Sequence, residues 1–410
     1  MKRIIKRAFN PIRIFLNDSR ATGVILLFCT AISLFLSNNY FTGEAYRNLW
    51  HAEFIQSSFL KLPGSFSHWI NDFLMAFFFL LAGMEIKREL VTGELSSVKR
   101  AVLPFGAAFG GMVVPAFIFL LFNAGSSFAH GWGIPTATDI AFSLGVASLF
   151  GKKVPVSLKI LLMALAIIDD LGAIIVIALF YGGQIRLMFL ALAGFLYFLL
   201  WVCNIRKLKF GAIQIILSFL LWFCILNSGI EGSITGVLVA FAMPINMLPK
   251  IEKTIHGYVN FLIIPLFALA NTAIIIPGNI AVALSSSISV GVLAGLVIGK
   301  PIGIFLFSRL MVALKLAKLP QQVNWKQLFG MGTLAGIGFT MSIFTTNLAF
   351  NSELSKDISK ISILISMLLS LTVSWIYFHL INVKLNPVPE RKSITPPVSK
   401  FAMEAIPAAS

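Results

Sequence analysis

Charge is scarce in this chain. Only 12% of its 410 residues are Asp, Glu, Lys or Arg, 58% are apolar, and the mean hydropathy is +0.91. That composition rules out the two or three soluble domains that the length would otherwise imply. Cysteine is scarcer still: Cys29, Cys203 and Cys224 lie in or beside apolar runs without CxxC spacing. They read as small hydrophobes, with no disulfide and no cysteine metal site expected. Also missing is period-2 alternation over about ten residues, which makes a membrane β-barrel the weaker reading. No clear small-residue cleavage site follows the basic start (Lys2, Arg3, Lys6, Arg7, Arg13) and the apolar run after Arg20, so the first helix is expected to be retained.

What the chain does have is apolar length. Runs of about 18 or more mostly apolar residues recur throughout, each long enough to cross about 30 Å of hydrocarbon as a helix. The expected fold is an all-α polytopic membrane protein of about twelve transmembrane helices, at 21–38, 68–88, 102–123, 128–150, 156–181, 185–203, 210–227, 230–245, 256–277, 286–311, 328–350 and 360–383. Residues 1–20 read as a basic cytoplasmic segment and 21–385 as the membrane transport domain. The Pro- and Ser-rich 386–410 read as a disordered cytoplasmic tail.

A net charge of +16 points to nucleic acid in a soluble protein, but here the basic residues fall in alternate loops. With the N-terminus inside, 26 of the 32 Lys and Arg lie on the inner side. Outer loops hold only Arg47, Lys61, Arg186, Lys356 and Lys360, and Lys300 falls within the tenth span. The asymmetry predicts both termini in the cytoplasm, with the lipid bilayer and not nucleic acid as the partner.

Two spans are interrupted. The fourth carries Pro135-Thr136-Ala137-Thr138-Asp139 near its centre, and the eleventh carries Gly330, Gly332, Gly336 and Gly338. Proline removes a backbone donor, and neither half of such a span can cross alone. Helices 3–5 and 10–12 start on opposite sides, and the interrupted helices 4 and 11 are their middle members. Paired interruptions in two inverted repeats point to a transport site at the midplane.

The costliest stretch is Ala164–Ala173, where Asp169 and Asp170 sit side by side in an apolar run. Together with Asp139 and Lys300 they oppose insertion by roughly 10 to 14 kcal/mol before pairing. Adjacent helical positions diverge by about 100°, so both carboxylates can border one cavity and titrate as a coupled pair. Hard monovalent cations prefer oxygen, which Asp169, Asp170, the Thr138 hydroxyl and carbonyls freed near Pro135 supply. Asp139 and Lys300 have an alternative structural role, facing half-helix ends. If protons and a cation compete for the same carboxylates, exclusive occupancy makes an exchanger. Glu85, Arg88 and Glu89 end the second span on one side, either as a solvated helix end or as a gate or proton sensor. Glu252 and His256 form an i, i+4 pair, Asp72 reads as an interface residue, and Asn271 as a helix-packing amide.

These residues lie in motifs that resemble the NhaA-type sodium/proton antiporter family over roughly residues 15–384. The motifs are FFFLLAGMEIKREL (77–90), IPTATDIAFSLG (134–145), LKILLMALAIIDDLGAIIVIALFY (158–181), IIPLFALANT (263–272), GKPIGI (299–304) and AGIGFTMSIF (335–344). That family is a known case of inverted repeats. The resemblance implies a non-enzymatic, electrogenic and pH-regulated exporter of Na+ and Li+ in exchange for H+, in the bacterial inner membrane and without a cofactor. It implies Asp169 and Asp170 as the ion- and proton-binding pair that holds Na+, with Thr138 and Asp139 from the broken fourth helix and Lys300 as site partner. Glu85, Arg88, Glu89 and Glu252 match a cytoplasmic pH-regulating cluster, and the outer loop 39–63 lies where the family has a dimer contact. In one departure, Glu231 stands where the family commonly has histidine. A carboxylate titrates lower unless buried, so the departure bears on the pH profile and not on the transport chemistry. A cation-coupled solute carrier would need more buried polar residues, and an intramembrane aspartyl protease would need a GxGD context that is missing.

Overall fold

A computed structural model describes residues 19–53, 62–206 and 210–381, without the side chains of Ser19, Arg20 and Lys152. The expected N-terminal segment, apart from its last two residues, and the whole of the expected tail lie outside the described residues. Among those described, the regular elements are helical apart from one isolated antiparallel bridge, Glu53 to Ser65. A helix satisfies its own backbone within hydrocarbon, as a spanning segment outside a closed barrel must.

Among the described residues, eight helices are long and apolar enough to cross a membrane: Ala21–Asn38, Phe66–Val91, Val98–Asn123, Val156–Phe180, Leu187–Ile205, Ile245–Asn271, Ser287–Ala313 and Glu353–Leu380. A ninth arises if Trp325–Ala335 and Phe339–Ala349, bent by 48° at their break, form one span. Shorter apolar helices, Ile140–Leu149, Ala212–Ser228 and Gly232–Ala242, lie where the fourth, seventh and eighth spans are expected. The protein is thus a polytopic membrane protein.

Two boundaries depart from the sequence reading. The ninth span begins at Ile245 and not near 256, because its first turns carry Lys250, Glu252, Lys253 and His256 and read as a loop by hydropathy. The twelfth begins at Glu353, so Lys360 lies inside a helix and is 8% exposed instead of sitting in an outer loop. Of the 39–63 segment, Gly43–His51 forms a short helix, and 54–61 lie outside the described residues.

The most extensive helix contact joins the third and tenth spans. Gly110 and Gly303 meet there backbone to backbone, and a Cβ on either would strike the other's carbonyl oxygen. Small residues give membrane helices this close approach, since lipid supplies no hydrophobic drive between them. Among the described residues, three helices contain a π turn, at Trp69–Leu74, Val259–Ile263 and Gly295–Gly299. The last two lead into Pro265 and Pro301. A widened turn relieves the clash that a proline imposes on the preceding turn.

Candidate functional site

The two interrupted spans cross at the centre of the fold, and each caps the other. In the fourth, Ala129–Thr136 is a 3-10 segment, and Ala137 to Asp139 are non-helical before Ile140–Leu149 begins. At the crossing, the Asp139 N–H donates to the Ile337 carbonyl at 2.7 Å. Ser143 Oγ donates to the Leu334 carbonyl at 2.9 Å, and Ser342 Oγ donates to that of Ile134 at 2.8 Å. Each serine lies four residues beyond its own break and satisfies a carbonyl at the end of the other span's first half. Buried carbonyls at helix ends need such partners. Gly338 is required here: a Cβ would lie 2.9 Å from the Ala137 carbonyl and collide with the Ser342 hydroxyl.

Ser143 and Ser342 were not singled out in the sequence. Their signal was the shared register of DIAFS and GFTMS, which only a break-to-break alignment of the two repeats exposes. Replacing both serines by alanine should destabilise the protein by about 1 to 3 kcal/mol, mostly through Ser342, whose loss strands the Ile134 carbonyl, whereas the Leu334 carbonyl still accepts the Ile337 N–H at 3.2 Å. Thermal unfolding in detergent reads this, and an unchanged transition temperature would contradict the capping role.

Asp139 stands between two half-helix N-termini. Its Oδ1 accepts from the Phe142 N–H at 3.0 Å as the cap of Ile140–Leu149. Its Oδ2 accepts from the Thr340 hydroxyl at 2.8 Å and more weakly from the Thr340 N–H at 3.4 Å, at the start of Phe339–Ala349. Both helix ends are partially positive, so the fold compensates this carboxylate without a cation.

The adjacent aspartates face different surroundings, as the roughly 100° step of an unbroken helix requires. Asp169 Oδ2 accepts from Lys300 Nζ at 2.6 Å and from the Thr138 hydroxyl at 2.8 Å, with both ionic side chains 0% exposed. Lys300 Nζ also donates to Thr138 Oγ1 at 2.8 Å. The Gly295–Gly299 π turn immediately precedes Lys300 and fixes its direction, because one extra residue in a turn rotates the residues after it by about 100°. Asp169 Oδ1 and Asp170 Oδ1 are both buried without a hydrogen-bond partner. Asp170 lines a cavity of about 320 Å³ together with Glu85, Thr138, Asp139, His256 and Thr340.

The four residues of the expected cytoplasmic cluster divide. Arg88 grips Glu252 through both carboxylate oxygens, at 2.5 and 2.6 Å, and Glu85 lies on the cavity wall. Glu89 instead accepts the Glu94 N–H at 3.0 Å and holds the turn after its helix. Glu252 therefore pairs across to Arg88, while its i+4 neighbour His256 lies within 3.0 Å of the Asn260 amide. Asp72 and Glu231 meet carboxyl to carboxyl, a contact that sequence reading missed for want of any local spacing. Asn271 bonds to Asn71 and Asn347 at 2.9 and 2.6 Å, tying three spans together as a packing amide should.

A buried acid pair with a lysine, between two crossed broken helices, is an arrangement for ions. The family model described as Na+/H+ antiporter 1 matches residues 13–378. The chain belongs to that family. Among its curated relatives, Na(+)/H(+) antiporter NhaA of Flavobacterium psychrophilum is 44% identical over 386 residues, covering 92% of this chain and 98% of the relative. Na(+)/H(+) antiporter NhaA 1 of Clostridium beijerinckii is 44% identical over 396 residues, covering 94% and 99%. Na(+)/H(+) antiporter NhaA of Citrobacter koseri is 41% identical over 389 residues, covering 91% and 98%. The family match runs over residues 13–378 and so includes every site residue described above, not one motif alone.

Proposed function

We propose that this protein is a secondary antiporter exporting Na+ and Li+ across the bacterial inner membrane in exchange for protons. Both termini lie in the cytoplasm, and the exchange is electrogenic and pH-regulated. The carrying observation is Asp170, a buried carboxyl with an unpartnered oxygen on the wall of a cavity of about 320 Å³.

Na+ is a hard cation and takes oxygen ligands. The free oxygens of Asp170 and Asp169, with Thr138 beside them, are the donors this chain offers. Protons occupy the same carboxylates, so a site loaded with one cannot hold the other. A carrier that reorients only when loaded then exchanges them without a separate coupling device. Lys300 holds and orients Asp169 until the cation or proton arrives, and Asp139 positions the crossing. Glu85 and the Arg88–Glu252 pair form the pH-regulating entrance, and Glu89 fixes the turn that presents it. A homodimer through the 39–63 segment completes the reading.

Two protons returning per Na+ move one net charge, worth about 2.3 kcal/mol per 100 mV. In proteoliposomes with an imposed proton gradient, Na+ and Li+ should collapse the gradient while K+ leaves it intact, and an inside-negative potential should change the rate severalfold. Indifference to potential would count against two-for-one exchange, and an equal response to K+ against the ion assignment.

A further inference from the structure

A cavity of about 710 Å³ opens between the starts of the third and fifth spans and the turn that closes the tenth. Lys99, Arg100, Lys315 and Lys318 line it, with Glu94 as its single acid. Glu94 lies 3.5 Å from Arg100, while the three lysines make no ion pair among the described residues. Four cations converging on one carboxylate repel one another, and an anion in the cavity would relieve them.

The backbone adds a second observation. Lys315 has φ +58°, the left-handed conformation that closes a helix C-terminus, and the Leu316 N–H behind it donates to the Met311 carbonyl at 3.0 Å. Glycine takes that position freely, whereas a lysine there carries backbone strain. A general bias of loops toward basic residues accounts for lysines near helix ends, but not for a lysine at the one residue of the turn that favours glycine. What the lysine gains is a side chain in the cavity.

The cavity has an apolar wall as well. Leu103 and Leu161 line it below the charged rim, as does Ala164, which shares its helix with Asp169 and Asp170. The third and fifth spans also begin here, at Val98 and Val156, and turn their positive ends toward this side.

We infer that this cavity binds the phosphodiester headgroup of an anionic phospholipid, with the acyl chains lying along the apolar wall. A basic pocket between membrane helices is built for that ligand. Free phosphate satisfies the rim and leaves the wall uncovered. Through Ala164, occupancy bears on the helix that carries the aspartates.

The test uses the purified full-length protein, with retained lipid counted by native mass spectrometry after addition of phosphatidylglycerol or phosphatidylcholine. Phosphatidylglycerol should be retained preferentially. Each lysine removed should weaken its retention about fivefold, and Lys99→Gln with Lys318→Gln together about 25-fold. Lys315→Gly should lose the same fivefold and yet unfold at a higher temperature in lipid-free detergent, because it removes the strain. That pair of results separates lost binding from lost folding. Equal retention of phosphatidylcholine, or retention of phosphatidylglycerol unchanged in the variants, would overturn the inference. So would displacement by millimolar inorganic phosphate, which would mark the cavity as a free-anion site.

Discussion

Replacing Lys300 by methionine should destabilise the protein by about 3 to 5 kcal/mol, the cost of stranding one member of a buried ion pair. Asp169 is 0% exposed, its Oδ1 has no partner, and among the described residues Lys300 is the single cation bonded to its Oδ2, at 2.6 Å. With the ammonium gone, only the Thr138 hydroxyl remains beside that oxygen. Asp169→Asn should cost a comparable amount from the other side, by leaving the lysine without its countercharge. The double variant Lys300→Met with Asp169→Asn should recover most of the loss, because deleting both charges removes the desolvation cost along with the attraction. A double-mutant cycle measured by thermal unfolding in detergent should therefore show a coupling larger than either single cost, above about 3 to 5 kcal/mol. Strict additivity would mean that the pair does not anchor the site.

Asp170→Asn should behave in the opposite way, abolishing exchange while leaving stability unchanged or raised. Among the described residues no cation pairs with Asp170, and its Oδ1 lacks any hydrogen-bond partner. A neutral amide of the same shape is cheaper to bury than a carboxylate. Losing a charged ligand contact of about 3 kcal/mol lowers ion affinity on the order of 100-fold. The amide also carries no exchangeable acid proton, so the return half of the cycle stops. Everted membrane vesicles report both: Na+ added to a preformed proton gradient should produce dequenching with wild type and none with the variant. Undiminished dequenching would remove Asp170 from the exchange site. A variant that is inactive but also grossly unstable would assign Asp170 to the fold instead.

The contrast between these outcomes was not legible from the adjacency of the two aspartates. Side by side in sequence they are chemically identical, and their difference depends on where Lys300 points. That direction is set by a π turn at Gly295–Gly299, which depends on i to i+5 bonding and has no sequence period of its own. The Arg88–Glu252 pair is hidden for a related reason: it joins residues 164 positions apart, while spacing rules speak only of neighbours on one helix. Glu89 shows the converse, since its spacing from Glu85 put it on the same helix face but its carboxyl turned to the Glu94 N–H. The start of the twelfth span was misread because Glu353, Lys356, Asp357 and Lys360 lower the local hydropathy even though they continue a helix.

By itself the sequence determined that this is a helical membrane protein. Repeated apolar length leaves no other way to satisfy the backbone in lipid, and an aspartate pair in such a run must be compensated. It also located the two breaks, since proline in one span and clustered glycine in the other are local statements about the backbone. The tertiary structure decided that the breaks cross and cap each other through Ser143 and Ser342, and that Asp169 is held while Asp170 is left open. Those outcomes depend on which helices lie side by side. Only packing fixes that, because each adjacent carboxylate takes its character from the helix it happens to face.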